Sequence, residues 1–128
     1  MPKKQTFKPA DARPDLPFSP VTRTGDLLFV SGQVGIDPAT KQVVDGGVEA
    51  QTRQTLQNLE RALSLAGATL ADVVKVNVFL TDMADFAAFN GVYREFFPSD
   101  PPSRTTVGTS GLSSPSMVVE IEAIAAAP

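Results

Sequence analysis

The chain contains no cysteine, no histidine and no tryptophan, and it has a single tyrosine. Without cysteine there is no disulfide framework and no thiolate nucleophile. Without histidine, neither a Ser-His-Asp relay nor a two-histidine ribonuclease mechanism can be built. The two absences together remove the usual ligands of zinc and haem, so an intrinsic transition-metal site is not expected. Acid/base work near neutral pH then falls to Asp, Glu, Lys, Tyr, a bound water or the substrate itself.

Excess positive charge is missing too. Eleven basic residues stand against 14 acidic ones, a net charge of -3. Nucleic acids and anionic membranes are held through clustered Lys and Arg, so neither is an expected partner. The one basic pair, Lys3-Lys4, falls in an expected solvated tail. No apolar stretch follows it and no run is long enough to span a bilayer, so a cytoplasmic protein is expected.

What is present suffices for one hydrophobic core: 128 residues form a single expected domain, with residues 1–13 an extended lead-in. Pro17-Phe18-Ser19-Pro20 holds one aromatic between two rigid residues, as a plug for the core or as a pocket wall. After the turn Thr24-Gly25-Asp26, the run Leu27-Leu28-Phe29-Val30 reads as a strand. Its apolar residues are continuous, so both faces are expected to be covered, one by helices and one by a layer borrowed from another subunit. Ser31-Gly32-Gln33 ends it, either as a plain strand end or as a hydroxyl beside a backbone open to close approach.

A short strand is expected at Gln42-Val43-Val44 and a helix from Val48 to Ala66, with Leu56, Leu59, Leu63 and Ala66 on its apolar stripe and Gly67 as its stop. In Val73–Leu80 the positions Val74, Val76, Val78 and Leu80 make an apolar face, while Lys75 and Asn77 stud the other. Thr81-Asp82 signals a second helix running to Phe97, with Phe86, Phe89, Tyr93, Phe96 and Phe97 on its stripe. Asn90 shares that stripe, where an amide must pin a loop or face a polar ligand.

The last third carries the chemistry. Pro101-Pro102-Ser103 stiffens the approach to strand Arg104–Thr109, and alternation puts Arg104, Thr106 and Gly108 on one face. A guanidinium, a hydroxyl and an open backbone together suit a small carboxylate; the plainer alternative is a surface arginine paired with Glu95 or Asp100. In the closing strand, Val119, Ile121, Ala123 and Ala125 face one way, and Glu120 and Glu122 the other. The two carboxylates read as a solvated edge, as salt-bridge partners of Arg104 or Lys75, or as a general acid/base pair. The resulting architecture is α+β, a sandwich of two helices on one face of a mixed sheet.

Val30-Ser31-Gly32-Gln33, Phe86-Ala87-Ala88-Phe89-Asn90-Gly91-Val92-Tyr93, Pro102-Ser103-Arg104 and Glu120-Ile121-Glu122-Ala123-Ile124-Ala125 occur in an order that carries a resemblance. Over about residues 14–125 the sequence resembles the RidA (YjgF) family of enamine/imine deaminases, also known as endoribonuclease L-PSP proteins. The resemblance implies a chorismate-mutase-like fold and a homotrimer with a barrel-like centre and sites between subunits. It implies hydrolysis of 2-aminoacrylate and related 2-imino acids to 2-keto acids and ammonia, with no cofactor. By the same resemblance, Arg104 binds the substrate carboxylate, Glu120 positions or activates water, and Phe18, Ser31, Gly32, Asn90 and Thr106 line the pocket. Thr106 stands where the family often has cysteine, and Phe18 where it usually has tyrosine. A non-catalytic trimer that binds keto acids remains the alternative, ahead of a ribonuclease.

Overall fold

The β-rich runs and the two amphipathic stretches sort into one sheet and one helical layer. A computed structural model describes residues 3–128. Six strands, β1 (Gln5–Phe7), β2 (Val21–Thr24), β3 (Leu27–Val34), β4 (Val73–Leu80), β5 (Ser103–Gly108) and β6 (Val119–Ala126), form a sheet in the order β1-β2-β3-β6-β4-β5. Only the β4–β5 pairing is parallel, as the intervening helix requires; the other pairings are antiparallel. Helices α1 (Gly47–Ser64) and α2 (Phe86–Phe96) supply the expected helical layer, and α1 packs against β3, β6 and α2. No helix among the described residues is long and apolar enough to cross a membrane.

The stripe on α1 does what its spacing predicts. Leu56, Leu59 and Leu63 are fully buried, each stabilising the fold by roughly 1.5–3 kcal/mol. Gly67, at a φ of 78°, ends the helix by letting the Ala68 N–H turn back to the Leu63 carbonyl. At the start of the second helical region, the Asp82 carboxylate accepts the Ala84 N–H at 2.9 Å, opening a 3-10 turn that leads into α2. Across the layer, Arg53 of α1 grips Glu95 of α2 with two bonds, at 2.9 and 3.0 Å. That fork also holds the Glu95 carboxyl below its usual range.

Four expectations change. The lead-in is not a free arm, because Gln5–Phe7 adds a strand to the edge at β2. Gln42–Val44 reduces to a single bridge between Ile36 and Val43. Val74 leaves the helix-facing row: a register shift between Val73 and Lys75 turns it outward, while Val76, Val78 and Leu80 stay fully buried. Ser31-Gly32-Gln33 does not end its strand, since β3 runs on to Val34 past a register shift between Val30 and Gln33. On the other face of β3 the described residues supply no layer. Leu28 and Val30 point into the core, whereas Leu27 and Phe29 remain 43% and 40% exposed on the helix-free face. The continuous apolar run therefore describes a strand with one face lined by this chain and one left open.

Candidate active site

Arg104 sits on β5, an edge strand attached to the sheet through β4 alone. Its register partner is Val76, and paired residues project to the same side of a sheet. The guanidinium therefore faces the helical layer, where three rings of α2 receive it. The guanidinium carbon lies 4.7 Å from the Tyr93 ring centre, 5.4 Å from Phe89 and 5.7 Å from Phe86. Such contacts contribute about 0.5–2 kcal/mol each, and they leave the N–H edges of the fork free for an anion. Among the described residues no carboxylate lies within ion-pair distance of Arg104; Glu95, its simplest alternative partner, is taken by Arg53.

Around this cation the polar groups are undersupplied with partners. The Thr106 hydroxyl, two residues along on the same face, is buried without a hydrogen bond, and so is the Tyr93 phenol. Burial pushes the Tyr93 hydroxyl up to about 12 against the smaller opposing pull of the Arg104 charge, so it stays protonated at physiological pH. Asn90 lies half-buried on α2, one turn beyond Phe86. Gly108 corrects the expectation of an open backbone beside Arg104, because a Cβ there would meet the Met83 side chain at 3.1 Å.

Glu120 occupies different ground. Its partners are Phe79 on β4 and Val34 on β3, so it projects from the helix-free face. Desolvation, reinforced by the neighbouring Glu122 charge, raises its carboxyl above the ordinary value. Glu122 instead accepts the Asn77 amide at 3.1 Å, and Lys75 donates to Thr105, also at 3.1 Å; neither carboxylate forms a salt bridge with Arg104 or Lys75. A Cβ at position 32 would collide with the Glu120 carboxylate, so any side chain there would have to push that carboxylate aside. Ser31 is occupied structurally. Its hydroxyl donates to the Ser19 carbonyl at 2.7 Å and its N–H to the Pro20 carbonyl at 2.9 Å, tying the Phe18 segment to β3 at its register shift. Phe18 is 55% exposed, so it is a wall and not a core plug. It lines, with Pro20 and Gly32, a cavity of about 400 Å³ that reaches α1.

The residues thus fall into two groups. Arg104, Thr106 and Asn90 gather at β5 and α2; Phe18, Ser31, Gly32 and Glu120 gather at β3 and β6. Two strand spacings separate β5 from β6, about 10 Å, and three positions along β4 separate the registers of Arg104 and Glu120, about another 10 Å. The two side chains also leave opposite faces of the sheet. Sequence reasoning found the aromatic stripe but not its use as the seat of the arginine; the i, i+3, i+7 spacing of Phe86, Phe89 and Tyr93 opposite an unpaired Arg was the available signal. Among the described residues no group of three or more Asp, Glu, His or Cys side chains gathers into a metal-binding cluster.

A helix-backed mixed sheet with a ring-stacked, unpaired arginine at one edge and a partly desolvated carboxylate on its open face defines a small α+β protein whose candidate residues fall in two separate regions. Residues 10–127 match the sequence model of the Endoribonuclease L-PSP family. Among relatives, the mitochondrial protein mmf2 of Schizosaccharomyces pombe is 46% identical over 86% of this chain and 87% of its own. A 2-iminobutanoate/2-iminopropanoate deaminase of Dermatophagoides farinae is 37% identical over 96% of this chain and 95% of its own. The solved structure of RidA from the Antarctic bacterium Psychrobacter superposes with a TM-score of 0.87 at 36% identity, over 95% of this chain and 98% of that one. The chain belongs to the Endoribonuclease L-PSP family, also called RidA/YjgF.

Proposed function

We propose that the protein hydrolyses reactive 2-imino acids, and the enamines that tautomerise to them, to 2-keto acids and ammonia. The observation that carries this reading is Arg104: a half-buried guanidinium seated on three rings with no carboxylate among the described residues at ion-pair distance. Such a fork takes a substrate carboxylate in two parallel bonds. The iminium carbon next to that carboxylate is already electrophilic, so the protein has only to place a water and accept its proton.

Glu120 suits that task, because its raised carboxyl makes it a stronger base than an exposed glutamate while leaving it ionised above its own pKa. Water adds to the iminium carbon as Glu120 takes its proton, giving a carbinolamine. Return of that proton to nitrogen makes ammonia the leaving group. As the C–N bond breaks and the carbonyl forms, Glu120 takes the hydroxyl proton and passes it to the departing ammonia, which leaves as ammonium with the base restored. Tyr93 is not the base, since its hydroxyl stays protonated to about 12.

Because Arg104 and Glu120 leave opposite faces of one sheet, the reading requires copies of the chain to bring them together, and a homotrimer with sites between subunits meets that need. The open face bearing Leu27, Phe29 and Val107 supplies apolar surface for such contact. The reaction is placed in the cytoplasm; the name of the fission-yeast relative makes imaging of a tagged chain the deciding observation.

The test uses 2-iminopropanoate made from alanine by an amino-acid oxidase and trapped with semicarbazide. Wild type is expected to deplete the trapped imine, and Arg104→Ala to leave it at the uncatalysed level. Saturable keto-acid binding without turnover of any imine would instead support a ligand-binding trimer.

A further inference from the structure

The cavity beside Gly32 is larger than the smallest imino acids need. Its 400 Å³ lies within the range of pockets that enclose whole drug-sized ligands. From Phe18 and Pro20 it runs past Val34 and Ile36 to Ala62 and Leu65 of α1. Several polar residues also reach its wall, and a number of their hydrogen-bonding groups are engaged within the protein. The Asn58 amide donates to both the Val34 and Ile36 carbonyls at 2.9 Å, and its oxygen accepts from Gln54 at 3.0 Å. Gln33 donates to the Ser31 carbonyl at 3.0 Å, Ser64 to the Arg61 carbonyl at 2.6 Å, and Lys41 to Asp11 at 3.1 Å. What remains for a ligand is a mainly apolar, open cleft with the exposed Arg61 and Lys41 among its lining residues. Phe18 contributes no hydroxyl to it.

We infer that this cavity is a side-chain subsite selecting 2-imino acids with bulky aliphatic or aromatic side chains. The inference rests on the deaminase reading and deepens it. Gly32 joins the two regions, since it forms part of the cavity wall and also touches the Glu120 carboxylate. Glu120 itself leaves the helix-free face and is not part of the cavity wall, so the inferred path of the substrate side chain runs from Glu120 across Gly32, where no Cβ stands in the way, toward α1. Each methylene buried there raises kcat/KM about fourfold, so a leucine-derived imine gains at least about tenfold over the alanine-derived one.

The test compares imines generated by amino-acid oxidases from alanine, leucine, phenylalanine and glutamate, with wild type and with Leu65→Trp and Ile36→Trp, each narrowing the cavity from a different element. Wild type is expected to favour the leucine and phenylalanine imines by at least about tenfold. Whichever variant folds, as judged by circular dichroism, is expected to lower the ratio of leucine to alanine turnover by a similar factor. A flat profile, a preference for the alanine imine, or a preference for the glutamate imine with Arg61 as its anchor would overturn the subsite while leaving the deaminase reading intact. If no imine is turned over, the deaminase reading fails and binding decides the subsite. Tighter binding of 4-methyl-2-oxopentanoate than of pyruvate, with NMR shifts at Leu65 and Ile36, would support it, and equal or weaker binding would overturn it.

Discussion

The seat of Arg104 and the surroundings of Glu120 hold opposite charges by opposite means. The arginine is stacked on Phe86, Phe89 and Tyr93, so its charge is supported by ring faces and its donors stay open. The glutamate has no such support: burial and the Glu122 charge both oppose its ionisation. One region leaves a supported charge with open donors, and the other disfavours its charge. The proposed reaction needs these contrary treatments for its binding group and its base, and the fold places each residue on its own face of the sheet.

The comparison breaks most visibly if the cation is removed. Arg104→Ala is expected to lower kcat/KM for imino acids by about 10³-fold, and Arg104→Lys to recover little of it, because a point charge cannot reproduce the fork. Glu120→Gln is expected to lower kcat by about 10²-fold or more with a smaller effect on KM. Mixing the two inactive variants under conditions that exchange subunits sharpens the contrast. If each site joins the arginine of one copy to the glutamate of another, random mixing restores about a quarter of wild-type activity, and a site within one chain restores none.

Smaller effects separate the ring from its hydroxyl. Tyr93→Leu removes the nearest ring below the guanidinium and is expected to cost about tenfold in kcat/KM, whereas Tyr93→Phe keeps the ring and is expected to recover that loss. Because the phenol is buried without a partner, Tyr93→Phe is also expected to raise Tm, the removed desolvation penalty being about 1 kcal/mol or more. The smallest effects follow pH. A carboxyl raised by folding opposes folding when it ionises, so its contribution to stability is retained at low pH and lost as pH rises through its folded pKa. Glu120→Gln is therefore expected to raise Tm slightly at neutral pH, with the gap closing on acidification. Activity is expected to fall as pH drops through the raised Glu120 pKa, and Glu122→Gln to move that fall to lower pH by removing one of its two causes.

Periodicity carried much of this in the sequence. The rows Leu56-Leu59-Leu63 and Val119-Ile121-Ala123-Ala125 are legible because each belongs to a regular element whose buried face repeats. The outward turn of Val74 was not, since a bulge is set by pairing with β6 and leaves the local pattern unchanged. Insertion of β6 between β3 and β4 was equally hidden, being a long-range choice among strands of similar composition. For the site, residue types and strand alternation pointed to Arg104 and to the pair Glu120 and Glu122, and the family resemblance singled out Glu120. The opposite faces of Arg104 and Glu120 emerge only when the registers on β4 are fixed. Met83 over Gly108 lay beyond reach because a turn's side chain covers a strand far from it in sequence.

The crowding of Gly32 against Glu120 also has a hereditary side. Every single-base change that alters a glycine codon into another amino acid adds at least a Cβ, and here any such atom falls where the carboxylate lies. The gene therefore carries, at one codon, a position where nearly every missense change disturbs the same group. Alleles recovered at codon 32 are expected to form a uniform loss-of-function class, graded far less by the residue introduced than alleles at codon 18 or 65.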